Sequence, residues 1–285
     1  MTEQEIGLGE AIAALRQDLK KRLAPLNRAV RALDALAANG ALDKLEVLDE
    51  HSAAVRDADL TPFGLGESQA AVAEQLVLLH DRLKTRARVA VLSDLTRLGA
   101  GIEITQLTEH PLTVLISPMV AELDVSAGRA HILYAREMVD DVDLDARLIL
   151  ESREKAMAHI RQLAADSVDF FDTALRAYRT VLVARGLGLG DRIDIVDMLA
   201  PLALLRADVS VWRKTNLQKV APYPRYLLAF QLQKLQRDGL LVKDGLRIEL
   251  GTATGGSTRN KQDVIFVPTS PTEGQYYLSV RFLAQ

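Results

Sequence analysis

The chain has 285 residues, of which 48% are hydrophobic, 26% charged and only 5% aromatic, the profile of an Ala- and Leu-rich helical protein long enough for two or three compact domains. It has no cysteine, which excludes disulfides, thiolate nucleophiles, Cys-ligated zinc and iron–sulfur clusters. No apolar run approaches the roughly 18 residues that a membrane span needs, and the first residues carry neither a basic nor an apolar leader pattern, so the cytoplasm is the expected compartment and a membrane is not an expected partner.

Charge is unevenly spread. Residues 201–285 hold twelve Lys and Arg against six Asp and Glu, a net +6, while the preceding 200 residues hold 23 against 32, a net −9. A basic segment on an acidic body suggests a polyanionic partner for that segment.

In chain order, Ile12, Leu15, Leu19, Leu23, Leu26, Val30, Leu33 and Ala37 recur at steps of three and four, which predicts a long amphipathic helix with a kink at Pro25 and a stop at Gly40. A second helix is expected from about Leu42, and Pro62, Gly64 and Gly66 mark a loop. Ser68 is a candidate N-cap for another long helix that carries Val72, Leu76, Leu79, Leu83 and Ala90 on one face and closes at Gly99. Its outer face holds Arg82, Lys84, Arg86 and Arg88, the pattern of a solvated surface.

From residue 102 the period falls to two. Ile102, Ile104, Leu112, Val114 and Ile116 alternate with other residues, and Ser126-Ala127-Gly128 forms a turn, so a short antiparallel β-arm of three or four strands is expected over about 102–136. The run Asp140, Asp141, Asp143, Asp145 lacks the central Gly and the bidentate Glu of a calcium loop and reads better as helix N-terminal capping. A third long helix is expected from about Leu144 to Arg185. Its seam of Met157, Ile160, Ala164, Val168, Phe171, Leu175, Tyr178 and Leu182 is close to a heptad repeat and could meet another part of the chain or a second copy.

Catalytic and metal-binding constellations are sparse. His51, His80, His110, His131 and His159 stand apart with no HxH or HxxxH pair, and no GxSxG, SxxK or phosphate-loop signature occurs. The Gly186-Leu-Gly-Leu-Gly190 run follows a helix rather than a strand and reads as a hinge. No enzymatic activity, cofactor or metal is expected.

After residue 190 the signals run helix (Ile193–Leu205), short helix (Val209–Leu217, with Trp212), helix (Arg225–Asp238), strand (Leu240–Leu250), Gly-rich basic tip (Thr252–Gln262), strand (Val264–Val267) and a final strand (Tyr276–Leu283). The stretch Leu232-Gln-Lys-Leu235-Gln-Arg-Asp-Gly239-Leu-Leu-Val resembles the passage from recognition helix to wing in the winged helix-turn-helix superfamily. The expected fold is therefore mainly α with small β elements (α+β): a long-helix body with its β-arm over 1–190, then a winged-helix domain over 191–285.

The resemblance implies a dimeric protein that binds duplex DNA, as a regulator or a subunit of a DNA-associated complex. Leu228, Leu232 and Leu235 would form the buried face of the third helix, and Tyr226, Phe230, Gln233, Lys234 and Arg237 the outer one. Candidate DNA contacts are Arg213, Lys214, Lys219, Arg225, Gln233, Lys234, Arg237, Arg259, Asn260 and Lys261. An outward Phe230 beside Tyr226 suits a protein contact better than a groove. With the seam residues Val168, Phe171, Leu175, Tyr178 and Leu182, it supports the competing expectation: an assembly subunit that docks a protein partner in a multi-subunit DNA-processing or defence complex.

Overall fold

The computed structural model describes residues 3–165, 169–208, 210, 220–256 and 260–284. It is an α+β protein, mostly helical, with two antiparallel sheets. No described helix is long and apolar enough to cross a membrane. The chain divides into two compact units, residues 1–94 with 125–128, and residues 95–124 with 129–285.

The first unit is helical. Helix α1 (Glu3–Ala37) runs continuously through Pro25, α2 spans Leu45–Arg56, and α3 spans Gly66–Leu98, its last turn lying beyond the unit boundary. Ala32 and Leu36 of α1, Leu48 and Val55 of α2 and Leu76 of α3 make the core, with Val47, Ala54, Leu79 and Leu83 packed against it. Gln69 ties the end of α2 to the start of α3: its amide donates to the carbonyls of Val55 (2.8 Å), Arg56 (3.1 Å) and Ala58, groups that a helix terminus leaves without intrahelical partners.

In the second unit, five strands form a meander in chain order: β1 (Ile104–Glu109), β2 (Leu112–Ile116), β3 (Met119–Asp124), β4 (Arg129–Tyr134) and β5 (Glu137–Asp143). Met119, Ala121 and Leu123 share a buried face with Ala130, Ile132 and Tyr134, as period-two alternation requires. The sheet is larger than the expected arm and takes in most of the aspartate run. Asp141 and Asp143 of β5 hold Arg129, Asp140 accepts from Ser152, and only Asp145 caps a helix, accepting from the amides of Arg147 (2.8 Å) and Leu148 (3.1 Å).

The expected single helix over 144–185 is two helices, α4 (Ala146–Ala165) and α5 (Phe170–Arg185), the second capped by Asp169. Then follow β6 (Ile193–Asp194), α6 (Leu199–Arg206), α7 (Arg225–Arg237), β7 (Val242–Lys243), β8 (Leu246–Thr252), β9 (Ile265–Pro268) and β10 (Gly274–Ala284). Strand β10 is the spine of the second sheet: β8 pairs along Tyr277–Ala284, β6 with Val280 and Ser279, and β9 with Gly274–Tyr277. The strand expected over 240–250 is thus a tight hairpin. Asp244 (φ 50°) and Gly245 (φ 72°) supply the left-handed backbone that a two-residue turn demands. The expected returning strand, β9, pairs with β10 and, among the described residues, not with β8. The expected helix 209–217 lies outside the described residues, apart from Ser210.

The seam residues Phe171, Leu175, Tyr178 and Leu182 are all buried within this unit, while Val168 lies outside the described residues. Phe171 and Tyr178 pack on Phe282 of β10, with ring centroids 5.5 and 5.0 Å away, and the Tyr178 hydroxyl donates to the Asp191 carbonyl (2.6 Å). The seam is therefore core and not an intermolecular face. It is buried by the aromatic residue of β10, at the far end of the chain.

Replacing Phe282, fully buried at this aromatic junction, by Ala should destabilise the second unit by about 3–5 kcal/mol. Chemical denaturation followed by circular dichroism would check this, and a loss below about 1 kcal/mol would contradict the packing described.

Candidate functional site

The C-terminal cationic segment and the apolar stripe of α1 are the two surfaces that sequence composition singles out, and their fates in the fold differ. Helix α7 is enclosed on more than one side. Leu227, Leu228, Ala229, Gln231, Leu232 and Leu235 are all buried, and the buried Gln231 amide oxygen accepts from the Tyr223 hydroxyl, which burial pushes up to about 12.

Two residues of the face expected to meet DNA, Phe230 and Gln233, lie against Tyr134 of the β4–β5 hairpin. Phe230 packs against Tyr134 with ring centroids 6.0 Å apart, and the Tyr134 hydroxyl donates to the Gln233 side-chain carbonyl (2.7 Å). Burial pushes Tyr134 to about 12, opposed by Arg237, so it stays a donor at neutral pH. Phe230 does make a protein contact, but within its own chain.

Arg225 is the hub of this arrangement. Its Nε donates to Glu137 (2.7 Å), and its two terminal nitrogens donate to the carbonyls of Gln262 (2.9 Å), Lys261 (2.8 Å) and Val264. The planar guanidinium holds together the Glu137 carboxylate and three carbonyls of the 261–264 loop. Arg225 is thereby committed to the fold and corrected as a DNA contact, and so is Gln233.

Asn260 is also locally employed. Its side-chain oxygen accepts from the Gln262 amide (3.2 Å) and its nitrogen donates to Asp263 (2.7 Å), shaping the turn that Arg225 grips. Of the other candidates, Lys234, Arg237 and Lys261 are exposed, with Arg237 bonded to Asp238 (3.1 Å), and Tyr226 is half-buried. Arg213, Lys214, Lys219 and Arg259 lie outside the described residues.

Sequence reasoning missed the partners that neutralise the segment. Lys243 is held by Asp169 and Asp172 (2.9 Å to the latter), and hydrogen bonding to Asp169, then to Asp172, raises its pKa. Arg281 and Arg192 converge on Glu249 at 2.8 and 2.6 Å, and their hydrogen bonds, that of Arg281 foremost, hold this carboxyl below the usual range. Part of the excess positive charge of residues 201–285 is therefore matched inside the second unit by Glu137, Asp169 and Asp172 from the acidic part of the chain.

Arg136 was also not foreseen. With Ala135 it occupies a left-handed two-residue turn between β4 and β5 (φ 52° and 64°), a costly conformation for residues other than Gly. Its guanidinium lies 4.1 Å over the Phe266 ring and 5.0 Å from that of Tyr276, whose hydroxyl it reaches at 2.9 Å, and these contacts offset the strain. The adjoining cavity of about 580 Å³ is lined by Arg136, Glu137, Arg225, Lys261, Phe266 and Tyr276 among others, so acid, base and aromatic groups meet there with most of their bonding already spent on one another.

Among the described residues no group of three or more His, Asp or Glu is placed to hold a metal ion. In the first unit His80 pairs with Asp49 (2.6 Å), beside a small cavity of about 260 Å³ between α2 and α3.

The α1 stripe has the opposite character. Ile12, Leu15, Leu19, Leu23, Val30 and Leu33 are all exposed, whereas Ala29, Ala32 and Leu36 on the neighbouring face are buried. From residue 11 to 25 every residue of α1 is exposed. No protein-family model, curated protein or solved structure matches the chain.

Arg225→Ala should cost about 1–3 kcal/mol, because it removes the charge-assisted bond to Glu137 together with the bonds that hold the loop carbonyls. Arg225→Lys should fail to restore the loss, since a single ammonium cannot reproduce the fork. Full recovery by Lys in denaturation experiments would argue against the clamp.

Proposed function

We propose that this chain is a non-catalytic assembly subunit, in which an exposed helical arm joins the protein to a protein partner. The observation that carries this reading is the stripe from Ile12 to Leu33, a row of large apolar side chains left in water on a 35-residue helix. Single exposed apolar residues are ordinary, but a continuous row on one helical face has the pattern of a recognition surface. The exposed residues 11–25 of this helix also lack the tertiary contacts from which most helical stability comes.

The test uses the full chain in extracts of its own cells. Tagged wild-type protein should elute in size-exclusion chromatography well above the mass of one chain, and Leu15→Glu with Leu23→Glu should shift it to monomer size while leaving its circular dichroism unchanged. Wild-type protein eluting as a single free chain would sink the proposal.

A second reading, contact with duplex DNA through phosphates, is supported by the exposed cations Lys234, Arg237 and Lys261. Base readout by α7 is not part of it, because Tyr134 and Glu137 occupy the partners that such readout would need. On this reading Lys234→Ala with Lys261→Ala should weaken binding by a similar factor for unrelated duplexes, and affinity should fall steeply with salt. Anisotropy titrations of the full chain at 50 and 200 mM salt, about the range over which phosphate-driven binding changes most visibly, would decide it; no binding at the lower salt removes this reading.

A further inference from the structure

Helix α1 carries two distinct apolar faces. At about 100° per residue, Ala29, Ala32 and Leu36 fall within roughly 60° of one another, and the stripe of Ile12, Leu15, Leu19, Leu23, Leu26, Val30 and Leu33 is centred about 100° away. The first face is the one buried in the helical unit. The six most exposed members of the second retain 39–63% of their accessibility.

The spacing of the stripe has a symmetry that bears on its occupant. Turned end for end about a point between Arg22 and Leu23, six of the seven residues map onto one another: Ile12 falls on Leu33, Leu15 on Val30 and Leu19 on Leu26, while Leu23, next to the centre, falls on Arg22. A row with this property can bury itself against its own inverted copy, which is the self-complementarity that a two-fold interface requires.

Charge points the same way. Arg16, Lys20, Lys21, Arg22, Arg28 and Arg31 crowd the middle and end of the helix with Asp18 as the only acid among them, whereas Glu3, Glu5 and Glu10 occupy its start. At about 100° per residue only Arg16 and Arg22 flank the stripe, within roughly 65° of its centre. A parallel, in-register pair would set these two cations near their own duplicates, whereas in the inverted pair they fall opposite Ala29 and Leu23 and face no cation.

The area is also of the right order. Six half-exposed aliphatic side chains offer about 500 Å² per copy, so the pair would bury on the order of 1,000 Å², near the lower bound for a specific interface.

We infer that the α1 stripe is the contact between two copies of this chain, packed antiparallel with Ile12 against the partner's Leu33 and Leu19 against the partner's Leu26. This rests on the assembly reading and names its partner.

The native chain has no cysteine, so introduced thiols report the register cleanly. Purified full-length protein at tens of micromolar should sediment as a dimer, and Leu15→Glu with Leu19→Glu should weaken association at least tenfold while the helical circular dichroism is kept. Under mild oxidation Ile12→Cys and Leu33→Cys should each fail to cross-link alone but join when mixed. In the inverted pair two copies of position 12 lie about 30 Å apart, while 12 and 33 are opposed.

Self-linked Ile12→Cys with no mixed product would overturn the antiparallel arrangement. A purified chain that stays monomeric to about 100 μM, ten or more times a micromolar dissociation constant, would overturn the second copy as occupant. In that event, stripe-dependent high-mass elution from cells would leave the assembly reading standing with a different partner, and monomeric elution there would remove both.

Discussion

Arg225 stands at the first turn of α7, and its guanidinium is where the second unit is drawn together. One nitrogen engages Glu137 in the β4–β5 hairpin, 88 residues earlier, and the others engage the loop that leads from the tip after β8 into β9. Helix, meander and C-terminal sheet are thus fixed relative to one another by a single planar group with five donors. Around it Tyr134 reaches Gln233, Phe230 lies on Tyr134, and Arg136 stacks on Phe266 and Tyr276. A left-handed turn at Ala135 and Arg136 persists because these contacts over-determine it.

This arrangement explains why the charge asymmetry of the chain is a poor guide to its partners. The basic C-terminal segment and the acidic residues before it are complementary halves of one folded unit. Glu137, Asp169 and Asp172 meet Arg225 and Lys243 across that division, so part of what looks like a polyanion-binding surface in sequence is internal pairing. Charge counted along a chain predicts an external partner only when no internal one folds onto it.

The helical unit presents the converse. Its core draws on the last third of α1, on α2 and on the first half of α3, and leaves residues 11–25 of α1 exposed. Buried area, not propensity, stabilises most protein helices, and Gly7, Gly9 and Pro25 do not favour this one in isolation.

Local periodicity determined a good deal on its own. The 3.6-residue spacing marked α1 and α3, the change to a period of two at residue 102 marked the meander, and the Leu228, Leu232 and Leu235 row correctly named the buried face of α7. The Asp244-Gly245 turn and the Asp169 cap were also written in the sequence but were masked by longer patterns running across them, an apolar strand in one case and a near-heptad row in the other. Tertiary structure alone decided which amphipathic faces would be covered. The stripes of α1 and α5 have nearly the same spacing, yet Phe171 and Tyr178 meet Phe282 at the far end of the chain while Leu15 and Leu19 meet water. Spacing reports that a helix has an apolar side; what that side rests on depends on segments too distant in sequence for any local pattern to register.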